Sequence, residues 1–483
     1  MNSLKKNILY NTLYQVLVII IPFVTAPYLS RVLGAEGVGK YSYTYAIANY
    51  FVLFAMLGLT NYGNREIAAC GDDVDKRNKT FSSIYIMQAV WAAGLALVYL
   101  LYAIFLAKRY RSISLIQGLY VVSAVLDINW LFFGLEKFKL TVIRNFMVKV
   151  ATLFFIFTFV KNECDVWVYT LIMAAGALIS QLCMWAYLPQ YIRIKRVTFP
   201  EVKKHIRPNF VLFIPVISYS IYKIMDKIML GNISTVAAVG LYEYAEKLVN
   251  LPLGFIAAFG TVMLPRMSNL TAQGDKQKTN LYIEKSMKYV TLAAAAMSFG
   301  LMSVGDIFAP LYYGIEFVTS GTLIQMLAVT LLPISWANII RTQFLIPTHR
   351  DKIYLMSTIF GAGANLVINL FLIPKYSYYG AAFGTIIAEF SVVVIQIYGT
   401  KEEFNYKRQF RYAFPYLLIG TVMFCTTTLL KKKMSTSWGT LIIIVVVGAV
   451  VYLLLSLFYL IQIEHDEEIM RILNRYFVHR TKN

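Results

Sequence analysis

Long apolar segments, each of about 20 residues, follow one another along nearly the whole chain, and that is the length an α-helix needs to cross a bilayer. Most are apolar all round instead of along one stripe, so no soluble core could take them up. With 58% of the 483 residues hydrophobic and 14% charged, the chain reads as an all-α polytopic membrane protein. About fourteen transmembrane helices are expected, near residues 8–33, 39–62, 80–106, 112–134, 141–160, 166–191, 207–231, 236–265, 287–311, 317–346, 353–373, 379–399, 411–430 and 438–463. The first span follows Lys5 and Lys6 but outruns a signal-peptide core and lacks a small-residue cleavage site, so it is expected to be retained.

An even number of spans puts both termini on one side, and lysine and arginine in the short connectors decide which side that is. Connectors on the terminal side carry roughly 30 of them against roughly 9 on the other, which predicts cytoplasmic termini. Two outer loops run against the rule, Lys108 to Arg111 and Lys431-Lys432-Lys433. The net charge of +20 is therefore juxtamembrane charge suited to anionic membrane lipids, and nucleic acid is not an expected partner. Cys70, Cys164, Cys183 and Cys425 form no disulfide framework. His205, His349, His465 and His479, read as solvated loop or tail residues, offer no metal spacing, and neither a metal nor a cofactor is expected.

The most cationic connector carries Arg193, Lys195, Arg196, Lys203, Lys204 and Arg207 with Pro200 among them, and it separates six spans from eight. It divides the chain into an N-terminal lobe (1–192), the cytoplasmic linker itself (193–207), a C-terminal lobe with spans seven to twelve (208–399), and a last pair of spans with a tail (400–483). Weak similarity crosses the linker. Leu33-Gly34 followed by Gly39-Lys40-Tyr41-Ser42-Tyr43 matches Leu230-Gly231 followed by Gly240-Leu241-Tyr242-Glu243-Tyr244. Spans one and seven share an interior proline, Pro22 and Pro215, and Pro27 and Pro252 are further interruptions. Proline inside a spanning helix removes a backbone hydrogen bond and permits a bend. Pseudo-repeated lobes with interrupted helices at matching positions point to an alternating-access transporter with its site between the halves; an old duplication with ordinary membrane prolines is the other explanation.

Ionisable residues are costly inside a bilayer and usually face a cavity, a partner or the interface. Here they gather in spans seven and eight. Lys223, Asp226 and Lys227 share a helix face by i, i+3, i+4 spacing, and Glu243 with Lys247 is a second i, i+4 pair beside Glu246. Asp226 lies about 8 Å, and Lys247 about 16 Å, from the outer ends of their helices, too deep for easy snorkelling. Five or six charges in one layer favour a water-filled cavity over dry packing. Lys223, Lys227, Lys247 and Arg31 would attract an anionic group such as a phosphate there, whereas Asp226, Glu243, Glu246 and, in span twelve, Glu389 oppose it as ion-pair or coupling residues. Asp127, Lys149 and Arg341 read at least as readily as internal salt bridges or interface anchors as they do as substrate contacts. Tyr41, Tyr45, Tyr219, Tyr222 and Tyr242 are placed to stack on sugar rings, or to serve in an interfacial aromatic belt.

No P-loop and no dinucleotide fingerprint is present, so transport would be secondary. A membrane enzyme acting on lipid-linked sugars, such as a polymerase or ligase, would need a sizeable outer loop with paired acids or a histidine; every outer connector is short, and the expectation is a protein that is not an enzyme.

The stretches Pro27 to Tyr45 (PYLSRVLGAEGVGKYSYTY) and Leu57 to Ala68 (LGLTNYGNREIA) resemble the Wzx-type polysaccharide repeat-unit flippases of the multidrug/oligosaccharidyl-lipid/polysaccharide exporter superfamily. The resemblance extends through the fourteen-span layout, the six-plus-eight division and Asp226-Lys227. It implies a MATE-like fold, two lobes around a central cavity, in a bacterial inner membrane. It also implies turnover of an undecaprenyl-diphosphate-linked oligosaccharide from the cytoplasmic to the periplasmic leaflet for O-antigen or capsule assembly, with polysaccharide polymerase machinery as a partner. In that family cations line the cavity for the diphosphate and acidic sugars, which assigns Arg31, Lys223, Lys227 and Lys247 to that task. A drug or cation exporter of the same superfamily, or a lipid-linked peptidoglycan or teichuronic-type flippase, is the alternative.

Overall fold

The computed structural model describes residues 2–466 and Met470, with backbone alone for residues 2–20 and for Pro215, Ser218, Tyr219, Ile221 and Tyr222. The stacking expected of Tyr219 and Tyr222 therefore lies outside the described residues. The described chain is helical without strands. Asn2–Met56 is helical on both sides of Gly34, whose φ of 65° and ψ of 179° open a kink that glycine tolerates and other residues rarely adopt. It therefore holds two helices, α1 (residues 2–33) and α2 (residues 35–56). There follow α3 (Val74–Leu101), α4 (Arg111–Val125), α5 (Phe138–Phe159), α6 (Val166–Tyr187), α7 (Ile206–Ile233), α8 (Val236–Ala272) and α9 (Lys276–Tyr312). The series closes with α10 (Val318–Ala328, resuming as Leu331–Ile339), α11 (Asp351–Tyr376), α12 (Tyr378–Gly399), α13 (Tyr406–Lys431) and α14 (Trp438–Phe458).

Twelve stretches among the described residues are long and apolar enough to cross a membrane. One of them, Ile21–Ala68, runs across the Gly34 kink and holds both α1 and α2, and α7 adds a helix of 28 residues. The protein is thus a multi-pass membrane protein of about fourteen helices. Contacts gather it into two compact units: one runs to Glu243 and includes Asn369–Ala381, the other comprises Tyr244–Ile368 and the chain from Ala382 onward.

In the first unit the fourth span breaks between α4 and a short helix, Asn129–Gly134. Broken backbone at this depth needs substitute partners. Asp127 Oδ1 accepts the Asn129 N–H at 2.8 Å, at the start of the short helix. Gln88 Nε2 donates to the carbonyls of Ala124 (2.9 Å) and Asp127 (2.8 Å), and Trp185 Nε1 donates to that of Leu126 (2.9 Å). Asp127 thus sits within a hydrogen-bonded network at the break, with Gln181 donating to its other oxygen at 3.2 Å.

The basic linker is laid along the start of α3. The backbone N–H of Arg193 donates to Asn78 Oδ1 (3.0 Å), that of Lys195 to Ser82 Oγ (2.9 Å), and Lys195 Nζ pairs with Asp75 at 2.5 Å. Reading His205 as a solvated loop residue is corrected here. It is 2% exposed, with Nδ1 2.6 Å from the Tyr62 hydroxyl and Nε2 2.9 Å from Ser83 Oγ. Burial, with a smaller push from Lys204, lowers its pKa to about 4. The unfolded chain then takes up a proton near pH 6.5 that the folded chain refuses until about pH 4. Stability is therefore expected to fall as pH drops through that window, by about 3 kcal/mol. Thermal unfolding of wild type and His205→Asn between pH 7.5 and 4.5 checks this: the variant should lose much of the slope, and an unchanged slope would contradict it.

In the second unit α9 is the central post. Trp336 Nε1 of α10 donates to Thr291 Oγ1 at 2.7 Å, Ser298 Oγ donates to the Ala328 carbonyl at 2.7 Å, and the Tyr452 hydroxyl of α14 donates to the Leu292 carbonyl at 2.7 Å. Lys431, from one of the loops that ran against the charge rule, pairs with Asp306 of α9 at 2.7 Å.

Candidate functional site

The charged face of α7 meets the first turns of α8 inside the first unit. Asp226, 3% exposed, accepts from the Tyr242 hydroxyl at 2.9 Å through one oxygen and from Asn369 Nδ2 of α11 at 2.6 Å through the other. One residue on, Lys227 Nζ lies 2.5 Å from Glu243 Oε2, with the two side chains 19% and 11% exposed. This ion pair joins α7 to α8 across the helix interface. Lys223 is half-buried in α7.

Four tyrosines from three helices adjoin this layer. Tyr41 and Tyr45 of α2 stack with centroids 5.7 Å apart and planes 6° apart. Tyr169 of α6 packs on Tyr41 at 4.5 Å, and Tyr120 of α4 meets Tyr45 edge-on at 5.0 Å, its hydroxyl 3.2 Å from that of Tyr41. Tyr45 lies within electrostatic range of Lys227 and Glu243, and Tyr169 of Glu243. Tyr120 and Tyr169 were not singled out in the sequence, where neither belongs to a tyrosine cluster. Tyr242 is 1% exposed and faces Asp226. Arg31 is exposed on α1, its Nη1 donating to the Pro27 carbonyl at 2.8 Å.

The two copies of the internal repeat touch at their glycines. A Cβ built on Gly39 would stand 1.7 Å from the Val236 carbonyl oxygen, and one on Gly240 2.1 Å from that of Ala35. Each glycine's Cβ position is also 3.1 Å from the other's nitrogen, so α2 and α8 meet backbone to backbone. Beside them Gly231 receives the Tyr43 ring, whose hydroxyl donates to Asn232 Oδ1 at 2.7 Å.

Glu246, Lys247 and Glu389 belong to the second unit. Lys247 is exposed with Nζ 5.2 Å from the centre of the Tyr244 ring, which in turn stacks on Tyr313 at 4.7 Å. Glu389 is buried at 3% on α12.

Helices of this number and length, with charges held inside them, define a multi-pass membrane fold with a polar internal layer. A family profile described as polysaccharide biosynthesis protein matches residues 4–271. A Shigella dysenteriae protein named for O-antigen transport is 27% identical over 406 residues, covering 82% of this chain and 99% of that one. Among solved structures, the lipid II flippase MurJ in an inward closed conformation superposes with a TM-score of 0.78 at 14% identity, covering 94% of this chain and 99% of that one. An inward-facing multidrug resistance MATE transporter of the MOP superfamily gives 0.58 at 11% identity over 80% of this chain and 98% of its own. The chain belongs to the polysaccharide biosynthesis protein family, and its fold is that of the multidrug/oligosaccharidyl-lipid/polysaccharide exporters.

Proposed function

We propose that the protein is a flippase for a lipid-linked oligosaccharide. It carries an undecaprenyl-diphosphate-linked repeat unit from the cytoplasmic to the periplasmic leaflet of a bacterial inner membrane, by alternating access, for O-antigen or capsular polysaccharide assembly. The observation that carries this is the polar layer of the first unit, where Lys227–Glu243 and Asp226 are held within a helical bundle beside stacked tyrosines. A drug site needs no such combination of intramembrane cations and sugar-sized aromatic faces. The relative named for O-antigen transport, matched over 99% of its length, supports the same reading.

In this scheme Arg31, Lys223, Lys227 and Lys247 hold the diphosphate or acidic sugars, and half-buried Tyr45, backed by the buried Tyr41, offers its ring to the glycan. The diphosphate competes with Glu243 for Lys227, so the resting ion pair keeps the cation neutralised until substrate arrives. Asp226, Glu243, Glu246 and Glu389 balance the cations or couple the cycle to an ion gradient. The lobes on either side of the 193–207 linker rock, with bending at Pro22, Pro215 and Pro252, while the lipid tail stays in the bilayer. Both termini are cytoplasmic, and a polysaccharide polymerase receives the product.

Lys223→Ala and Lys247→Ala are each expected to lower export of lipid-linked glycan by about tenfold or more, the loss of one charge-assisted contact. Export measured at matched protein levels decides it; unchanged export in both variants removes the lysines from phosphate binding.

A further inference from the structure

In the second unit α8 and α9 fold back on each other through Gly274, whose φ is 72°, and enclose a groove of about 460 Å³. Phe255, Phe259 and Met263 form one wall, and Val290, Ala293 and Met297 the other. The lining on α9 runs from Tyr282 to Met297, about 22 Å at 1.5 Å per residue. Phe255 is 73% exposed and nearby Val262 75%, so α8 presents an apolar flank beside the groove.

The end of the groove toward the connector differs from the rest. Lys285 lines it beside Tyr282 and Ser286. Arg266 donates a hydrogen bond to the Tyr282 hydroxyl and lays its guanidinium 4.2 Å from the centre of that ring. Lys288, one turn further along α9, is held by Glu464 at 2.7 Å and by Asp466, and the Tyr289 hydroxyl donates to Asp466 at 3.1 Å. Lys285 and Arg266 both stand at this end of the groove. A narrow apolar channel with one cationic end is complementary to an amphiphile with one anionic head.

We propose that this groove holds an acyl chain of an anionic membrane phospholipid, with the phosphate at Lys285 and the Arg266–Tyr282 pair. The connector beside the mouth leads into Lys276 and Lys278 at the start of α9, further positive charge that attracts anionic headgroups. The lipid fills the space between α8 and α9 and braces α8 where Pro252 and Pro265 interrupt its hydrogen bonding. This rests on the second unit alone and is independent of what the protein transports.

The test uses the purified, delipidated full chain, with lipid binding read by native mass spectrometry and by the shift in thermal unfolding. Phosphatidylglycerol is compared with phosphatidylcholine of the same acyl chains. Phosphatidylglycerol is expected to bind about tenfold tighter or more, Lys285→Gln to weaken it about fivefold without affecting phosphatidylcholine, and Lys285→Arg to preserve it. Ala293→Trp, at an exposed position that can accept the ring, is expected to block the chain and abolish binding of both lipids, with folding checked by circular dichroism. Equal binding of the two lipids, or full phosphatidylglycerol binding by Ala293→Trp, would overturn the proposal. Displacement of phosphatidylglycerol by equimolar undecaprenyl phosphate would overturn the choice of occupant in favour of the prenyl carrier.

Discussion

Gly39→Ala is expected to destabilise the protein by about 2–4 kcal/mol, whereas Gly94→Ala, an identical chemical change in α3, is expected to be neutral or to stabilise by up to about 1 kcal/mol. The difference lies in what the new methyl group meets. At Gly39 it would overlap the Val236 carbonyl oxygen at 1.7 Å, a backbone atom that cannot rotate aside, so α2 and α8 must separate. Separation forfeits dispersion contacts along the whole seam, including those around the Gly240–Ala35 approach. At Gly94 nothing lies within 4 Å, and alanine gains the helix propensity that glycine lacks. Thermal unfolding of the two variants in one detergent reads the contrast; equal midpoints would mean that the helices do not meet backbone to backbone.

Lys227→Ala is expected to cost about 3–5 kcal/mol, because it removes the cation 2.5 Å from Glu243, whose carboxylate side chain is 11% exposed. Adding Glu243→Gln should recover most of that loss, giving a coupling of about 2 kcal/mol or more in the double-mutant cycle. The Glu36–Lys40 pair is the internal control. Its partners are 2.8 Å apart but 64% and 31% exposed, and Lys40→Ala is expected to cost no more than about 0.5 kcal/mol. A Lys227–Glu243 coupling as small as that would contradict the buried ion pair.

The glycine contact also marks what was legible in the sequence and what was not. Leu33-Gly34 and Leu230-Gly231, each followed by a second glycine and a tyrosine, could be matched by inspection because a repeat is a property of the chain. That Gly39 and Gly240 press against each other is a property of two helix rotations, which hydropathy does not fix. Long apolar runs made the spans plain, since helix length and bilayer thickness are tied by the rise per residue. The first span was expected to end near residue 33, and the structure kinks at Gly34, where a positive φ is needed, with Pro22 and Pro27, read as interruptions, inside helical α1.

The site divides in the same way. Spacing placed Lys223, Asp226 and Lys227 on one face of one helix, and the structure brings Asp226 and Lys227 to partners. Those partners, Tyr242, Glu243 and Asn369, come from two other helices, which spacing along one helix does not identify. Tyr120 and Tyr169 join Tyr41 and Tyr45 only through tertiary packing, so no periodicity announces them. His205 looked solvated because it stands in the most cationic connector; its burial comes from Tyr62 and Ser83, more than a hundred residues away in the chain.

The amount of undecaprenyl-diphosphate-linked oligosaccharide in cells lacking this protein, compared with cells carrying it and measured together with surface glycan, tests the central claim most directly. A flippase predicts accumulation of the lipid-linked sugar with loss of surface polymer, both reversed by the intact chain. Unchanged lipid-linked sugar with altered resistance to cationic compounds would contradict it and place the protein among the drug exporters.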